Sequence, residues 1–163
     1  MQLPRDLPGN PASAVYGTIV VAGQLMVEGG SSHSVGRILG SLAAALVVFW
    51  LAHAYTDTLG GVITGGARNA DTAPPSLRHA LRVEWPIVES GIAPAAVLGL
   101  AWLVGASPHA ATWAGAVVAA IELVGWALLA ARRAEARGPR LVAFVVTAAV
   151  FGGVLVVAKY LIH

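Results

Sequence analysis

The sequence predicts an all-α integral membrane protein: a bundle of five transmembrane helices, with a short amphipathic cytoplasmic helix between the second and the third. Three observations lead there. Of the 163 residues, 57% are hydrophobic and 11% charged, well outside the balance of a water-soluble domain. Five apolar runs reach the roughly 20 residues needed to cross a bilayer. The basic residues fall in short clusters between those runs and divide unevenly between the two sides.

The runs cover about 12–29, 38–59, 86–106, 109–131 and 140–162, and the chain reads as a single transmembrane domain over 1–163. The first run exceeds the apolar region of a signal peptide and carries Gln24, so it is expected to be retained. The second ends in VVFWLAHAYTD, residues 47–57. The third opens with EWPIVESG, where Pro86 fits a first helical turn without losing a hydrogen bond and Trp85 suits the membrane interface. GASPHA joins the third run to the fourth and is long enough only for a tight hairpin. The fifth contains LVAFVVTAAVFGGVLVVA, which has no charge.

Between the second and third runs, GGVITGGARNADTAPP reads as a flexible loop. SLRHALRVEW follows, with Ser76 as a candidate N-cap, Leu77, Ala80 and Leu81 on one helical face and Arg78 with Arg82 on another. This predicts a surface helix over about 76–84; a solvated turn leading into the third run is the alternative. Arg5, Arg68, Arg78, Arg82, Arg132, Arg133, Arg137 and Arg140 fall on one side, and Arg37 and Lys159 on the other. The asymmetry places the N-terminus in the cytoplasm and the C-terminus outside, and the expected location is a bacterial inner membrane. These clusters and the net charge of +2 are topology signals rather than a nucleic-acid footprint.

Ionisable groups at membrane depth cost on the order of 2.5–3.5 kcal/mol each and usually face a bundle interior or water. Glu122 falls nearest the bilayer centre, with His53, Glu89 and Asp57 progressively closer to the cytoplasmic face. His53 and Asp57 are one helical turn apart, so the carboxylate is placed to orient the ring. Asp57 lies near the predicted C-terminus of its helix, where the dipole disfavours an anion, and Arg78 or Arg82 is its expected partner. Glu84 and Glu89 lie near a helix N-terminus, where negative charge is favoured. Gln24 and Glu28 lie toward the outside, and Glu28 is expected to pair with Lys159. Taken together, Glu28, Gln24, Glu122, His53 and Asp57 would make a stepped polar route if helices one, two and four were neighbours. For each of these residues a purely structural role, as a packed histidine or an interfacial ion pair, is the competing reading.

With no cysteine in the chain, disulfides, thiolate metal sites and cysteine nucleophiles are excluded. No nucleophile, phosphate-loop or zinc-protease motif appears, and an enzyme is not expected. His53 and His109 lie toward opposite surfaces, a poor arrangement for haem, and no cofactor is called for. Three functional readings remain. The first is a small channel or transporter passing protons or cations by way of His53, Asp57, Glu122, Glu89, Tyr55, Gln24 and Glu28. The second is a divalent metal transporter using His53, Asp57, Glu89 and Glu122. The third is a non-transporting scaffold or accessory subunit. Small residues four apart, such as Gly40 with Ala44 and Gly115 with Ala119, favour close helix packing and suggest a homo-oligomer in the lipid bilayer.

The segments AVYGTIVV (14–21) and VVFWLAHAYTD (47–57) resemble those of small bacterial integral membrane proteins that carry a YGT near the first helix and a WLAHxY in the second. The resemblance covers two of the five helices. It implies that His53 and Tyr55 are not incidental, and it implies no activity.

Overall fold

The computed structural model describes residues 11–28, 33–65, 76–133, 135 and 137–162. Among them the chain forms seven helical segments: α1 (Pro11–Glu28), α2 (Val35–Gly65), α3 (Leu77–Val83), α4 (Pro86–Glu89), α5 (Ile92–Leu103), α6 (Pro108–Arg133) and α7 (Pro139–Ile162). Proline opens α1, α4, α6 and α7, where its missing N–H falls among groups that have no partner within the helix. The segments α3, α4 and α5 follow one another with two-residue breaks, so the fold amounts to five helical rods.

Both breaks have a local cause in proline. Pro86 cannot donate to the Arg82 carbonyl, and the Trp85 N–H takes that carbonyl instead at 3.4 Å. Pro94 cannot donate to the Ser90 carbonyl, and the rod breaks again at Ser90 and Gly91. At the far end, Gly105 adopts φ +96°. Its N–H reaches the Trp102 carbonyl at 3.0 Å while the Ala106 N–H reaches Ala101 at 3.0 Å, a paired C-terminal cap of α5 that needs a left-handed residue. Ser107 Oγ accepts the Ala110 N–H at 3.2 Å and starts α6. This is the tight hairpin read from GASPHA.

Three rods among the described residues are long and apolar enough to cross a membrane: Val35–Val62, Leu77–Leu103 and Pro108–Arg132, of 28, 27 and 25 residues. The expectation of five spans is met only that far. The first segment forms a helix of 18 residues carrying Gln24 and Glu28, about 27 Å long at 1.5 Å per residue, just under the roughly 30 Å hydrocarbon core. The last forms α7 over Pro139–Ile162, with part of its side chains, Lys159 among them, outside the described residues.

Two further boundaries differ from the sequence reading. Helix α2 runs through Gly60 and Gly61 to Gly65 rather than stopping near 59, and the rest of the expected loop, residues 66–75, lies outside the described residues. Glycine is tolerated in apolar spanning helices. The surface helix over 76–84 forms as α3, with Ser76 accepting the His79 N–H. It is the opening section of the third rod, not a detached element. Ala80 is buried and Leu81 half-buried, while Leu77 is exposed.

Helix α1 is the hub: it packs against α2, α4, α6 and α7, and α6 in turn packs against α5 and α7. Val21, Ala22 and Leu25 of α1 meet Ile38, Leu42 and Leu46 of α2, Ile87 of α4 and Leu98 of α5 in the main core. Leu123 and Ala127 of α6 form a second apolar contact with Val15 and Ile19. Leu25 lies beside Gly115, so α1 and α6 run antiparallel. The Gly115 and Ala119 pair thus serves packing within the chain, and Gly40 faces open space.

Candidate functional site

The polar side chains on these helices fall into three groups, the richest where α1, α2 and α3 meet. Glu84 closes α3 as its C-cap and is 5% exposed. Ser13 of α1 and Asp57 and His53 of α2 lie close enough to its carboxyl group to act on it. The salt bridges found among the described residues do not include the expected pairing of Asp57 with Arg78 or Arg82, and both arginines are exposed. The helix-dipole argument does not apply to Asp57, since α2 continues eight residues beyond it.

His53 is oriented by its own helix and by α1 rather than by Asp57. Its Nδ1 lies 3.1 Å from the Phe49 carbonyl, and as a carbonyl only accepts, Nδ1 is the donor in that bond. The Tyr16 ring stands 5.1 Å away at a 55° tilt, and Phe49 stacks at 6.0 Å. One helical turn before His53, Trp50 Nε1 donates to the Leu81 carbonyl at 2.8 Å. It thereby caps a carbonyl at the C-terminal end of α3, while its ring meets Trp85 edge-on at 5.2 Å. Trp50, His53 and Asp57 share a face at i, i+3 and i+7. Tyr55 stands on the opposite face and is 60% exposed.

Both segments that carry the resemblance belong to this junction. Tyr16 packs on His53. Gly17 brings the α1 backbone against α4, where a Cβ would overlap Ser90 Oγ and the Ile87 carbonyl and lie 2.8 Å from Ile87 Cα. The buried Thr18 returns its hydroxyl to the Ala14 carbonyl at 2.9 Å.

The second group lies at the other end of α1. Glu28 is 9% exposed; its Oε2 meets His33 Nδ1 at 2.8 Å and its Oε1 accepts from Ser41 Oγ at 3.0 Å. These contacts close the α1–α2 turn. The expected pairing with Lys159 lies outside the described residues, as that side chain does. Gln24 is half-buried one turn earlier.

Glu122 of α6 makes the third group alone. Its Oε2 is buried without a hydrogen-bond partner among the described residues. Helix α1 packs against both α2 and α6, and α2 and α6 are not among the well-packed pairs. The stepped route needed helices one, two and four to be neighbours, and α1 meets each of the other two. Glu89 is exposed on α4. No group of three or more His, Asp or Glu side chains able to hold a metal occurs among the described residues, so the quartet His53, Asp57, Glu89 and Glu122 is not assembled.

An orphaned buried oxygen costs about 1–3 kcal/mol, so Glu122→Leu is expected to raise the thermal unfolding midpoint in detergent. A lowered midpoint would mean that the carboxyl group has a partner.

Sequence spacing placed His53 and Asp57 on one face, and the His53 ring meets the Phe49 carbonyl and Tyr16. Spacing missed Ser13, Tyr16, His33 and Ser41 as participants and treated Glu84 only as a helix-end charge. The missed residues are small, neutral or interfacial, and local spacing carries no sign of what faces them across the bundle. The Trp50, His53, Asp57 stripe was the available signal that something must cover that face of α2.

Comparison of the chain with protein-family models, with curated proteins and with solved structures finds no match.

Proposed function

We propose that the protein is a multi-pass membrane scaffold or accessory module whose polar residues fix helix packing, rather than a conducting channel. The observation that carries this reading is the division of those residues into three groups. Glu28 is bound to His33 and Ser41, Glu84 lies near Ser13, Asp57 and His53, and Glu122 stands apart. The fully buried Val21 and Leu25 of α1 add an apolar stretch along the helix that links them. Ion conduction needs a continuous hydrated or relayed path, and contacts local to each end do not provide one.

In this reading all five rods span the bilayer, α1 and α7 joining the three longest, with the N-terminus in the cytoplasm of a bacterial cell. The antiparallel packing of α1 on α6 supports the alternation, as five passes orient these two oppositely. The eight-to-two division of basic residues supports the orientation.

The proton or cation transporter is the second reading, favoured by the unpartnered Glu122 oxygen. A single measurement separates the two. Purified protein in liposomes enclosing a pH-sensitive dye, under an imposed potential, is expected to move protons no faster than protein-free liposomes. Flux above that level, lost in Glu122→Gln with folding intact, would replace the scaffold reading by the transporter.

A further inference from the structure

The outer side of the third rod opens with two arginines and a tryptophan. Arg78, Arg82 and Trp85 are all exposed. Glu84 and Trp85 keep a right-handed helical backbone through the first break, so at i, i+4 and i+7 the three fall within about 60° of one another round the rod. Ala80 is buried on the side that meets the bundle. The ion pairs found among the described residues include neither arginine. The stripe is also held in place: Trp50 Nε1 donates to the Leu81 carbonyl at 2.8 Å, the Trp50 ring meets Trp85 edge-on, and Ser76 caps the first turn.

We infer that Arg78 and Arg82 form a binding site for the phosphate of an anionic phospholipid headgroup, with Trp85 at the hydrocarbon boundary beneath it, a reading that rests on the third rod spanning the bilayer. The rod Leu77–Leu103 has 27 residues, about 40 Å at 1.5 Å per residue. That is about 10 Å more than the hydrocarbon core of about 30 Å, and the surplus matches the seven residues of α3. The rod carries two exposed tryptophans, Trp85 and Trp102. Their separation along the axis is about 26 Å, close to the spacing of the aromatic belts at the two faces of a membrane. With Trp85 at one face, Arg82 lies about 5 Å beyond it and Arg78 about 10 Å beyond, a span that crosses the headgroup layer.

The chemistry of the pair fits that depth. A guanidinium presents a planar fork of N–H donors that phosphate oxygens accept two at a time. Residues four apart on a helix stand about 5–6 Å apart at Cβ, so both forks reach one phosphate or two adjacent ones. Of the acids around the elbow, Glu84 is buried, while Asp57 on α2 and Glu89 on α4 are exposed. Neither exposed acid is ion-paired with the arginines, and Glu89 lies one turn past Trp85, on the hydrocarbon side. A zwitterionic headgroup brings its own cation to the site, and a free phosphate lacks the acyl chains that meet Trp85 and the apolar rod. The anionic phospholipid satisfies both halves.

Full-length protein in dodecyl maltoside is titrated with phosphatidylglycerol, phosphatidylcholine or inorganic phosphate while the thermal unfolding midpoint is followed. Phosphatidylglycerol is expected to raise the midpoint saturably, and the other two are not. Arg78→Gln and Arg82→Gln, both at exposed positions where folding is retained, are each expected to weaken the apparent affinity about fivefold, and the double variant about thirtyfold. Arg137→Gln with Arg140→Gln removes the same charge from the exposed turn between α6 and α7 and is expected to leave the affinity unchanged. An equal response to phosphatidylcholine or to inorganic phosphate would overturn the inference. So would an unaltered response in the double variant, or an equal loss in the Arg137 and Arg140 pair. The chain has no cysteine, so a nitroxide on Leu77→Cys reports the depth of α3 in nanodiscs. A label at headgroup depth without a preference for phosphatidylglycerol would sink the lipid site alone, whereas a label in bulk water would sink the span as well.

Discussion

Gly17→Ala is expected to destabilise the protein by about 2 kcal/mol, whereas Gly23→Ala, six residues along the same helix, is expected to stabilise it by up to about 1 kcal/mol. Both substitutions gain the helix propensity of alanine over glycine, about 1 kcal/mol in a helix interior. They differ in what the new methyl group meets. At Gly23 nothing lies within 4 Å. At Gly17 the methyl overlaps the Ile87 carbonyl and the Ser90 hydroxyl and comes within 2.8 Å of Ile87 Cα. Two of those atoms belong to the backbone of α4, which cannot rotate aside, so α1 and α4 must separate. Overpacking of this kind costs about 1–3 kcal/mol, and here the upper end applies because Ile87 and Ser90 are themselves fully buried. Paired thermal or denaturant unfolding in one detergent reads the two signs directly. Equal effects at the two sites would mean that α1 and α4 do not cross at Gly17.

The same contact explains what could be read along the chain and what could not. Helix positions were legible because the apolar runs are long, little interrupted by charge and opened by proline: α6 was expected over 109–131 and forms Pro108–Arg133, and α7 was expected over 140–162 and forms Pro139–Ile162. The interruptions of the third rod were written in Pro86 and Pro94, yet a long apolar run hides them, because proline is tolerated in spanning helices. Which helices touch was not legible. Gly17 touches α4 some 70 residues later in the chain, and Trp50 meets Leu81 across a connection whose length says nothing of its path.

Partners were misassigned for a related reason. Arg78 and Arg82 were natural counterions for Asp57 by charge, but both lie on the exposed side of α3, and the carboxyl group that closes the helix faces inward instead. Tyr55 was singled out by resemblance. Two residues from His53 means about 200° round the helix, and the ring stands on the outer face accordingly.

Trp50→Ala is expected to release α3 while leaving the α5–α6 hairpin intact, at a cost of about 3 kcal/mol. The indole does three things at once. It packs against the main core, it donates to the Leu81 carbonyl, and its ring meets Trp85 edge-on. Truncating a buried tryptophan costs about 3–5 kcal/mol, and the half-buried position of this one sets the lower end. Trp50→Phe divides the effect: it keeps most of the ring and loses only the N–H, so about 1 kcal/mol is expected from the uncapped carbonyl. Hydrogen exchange locates the loss. In Trp50→Ala the amides of 79–85 should exchange faster, whereas those of α5 and α6 keep their protection, because the cap and the paired hydrogen bonds at Gly105 and Ala106 do not involve α2. Uniform loss of protection along the chain would instead make Trp50 a general core residue, and α3 would then owe its position to Glu84 and Ala80 alone.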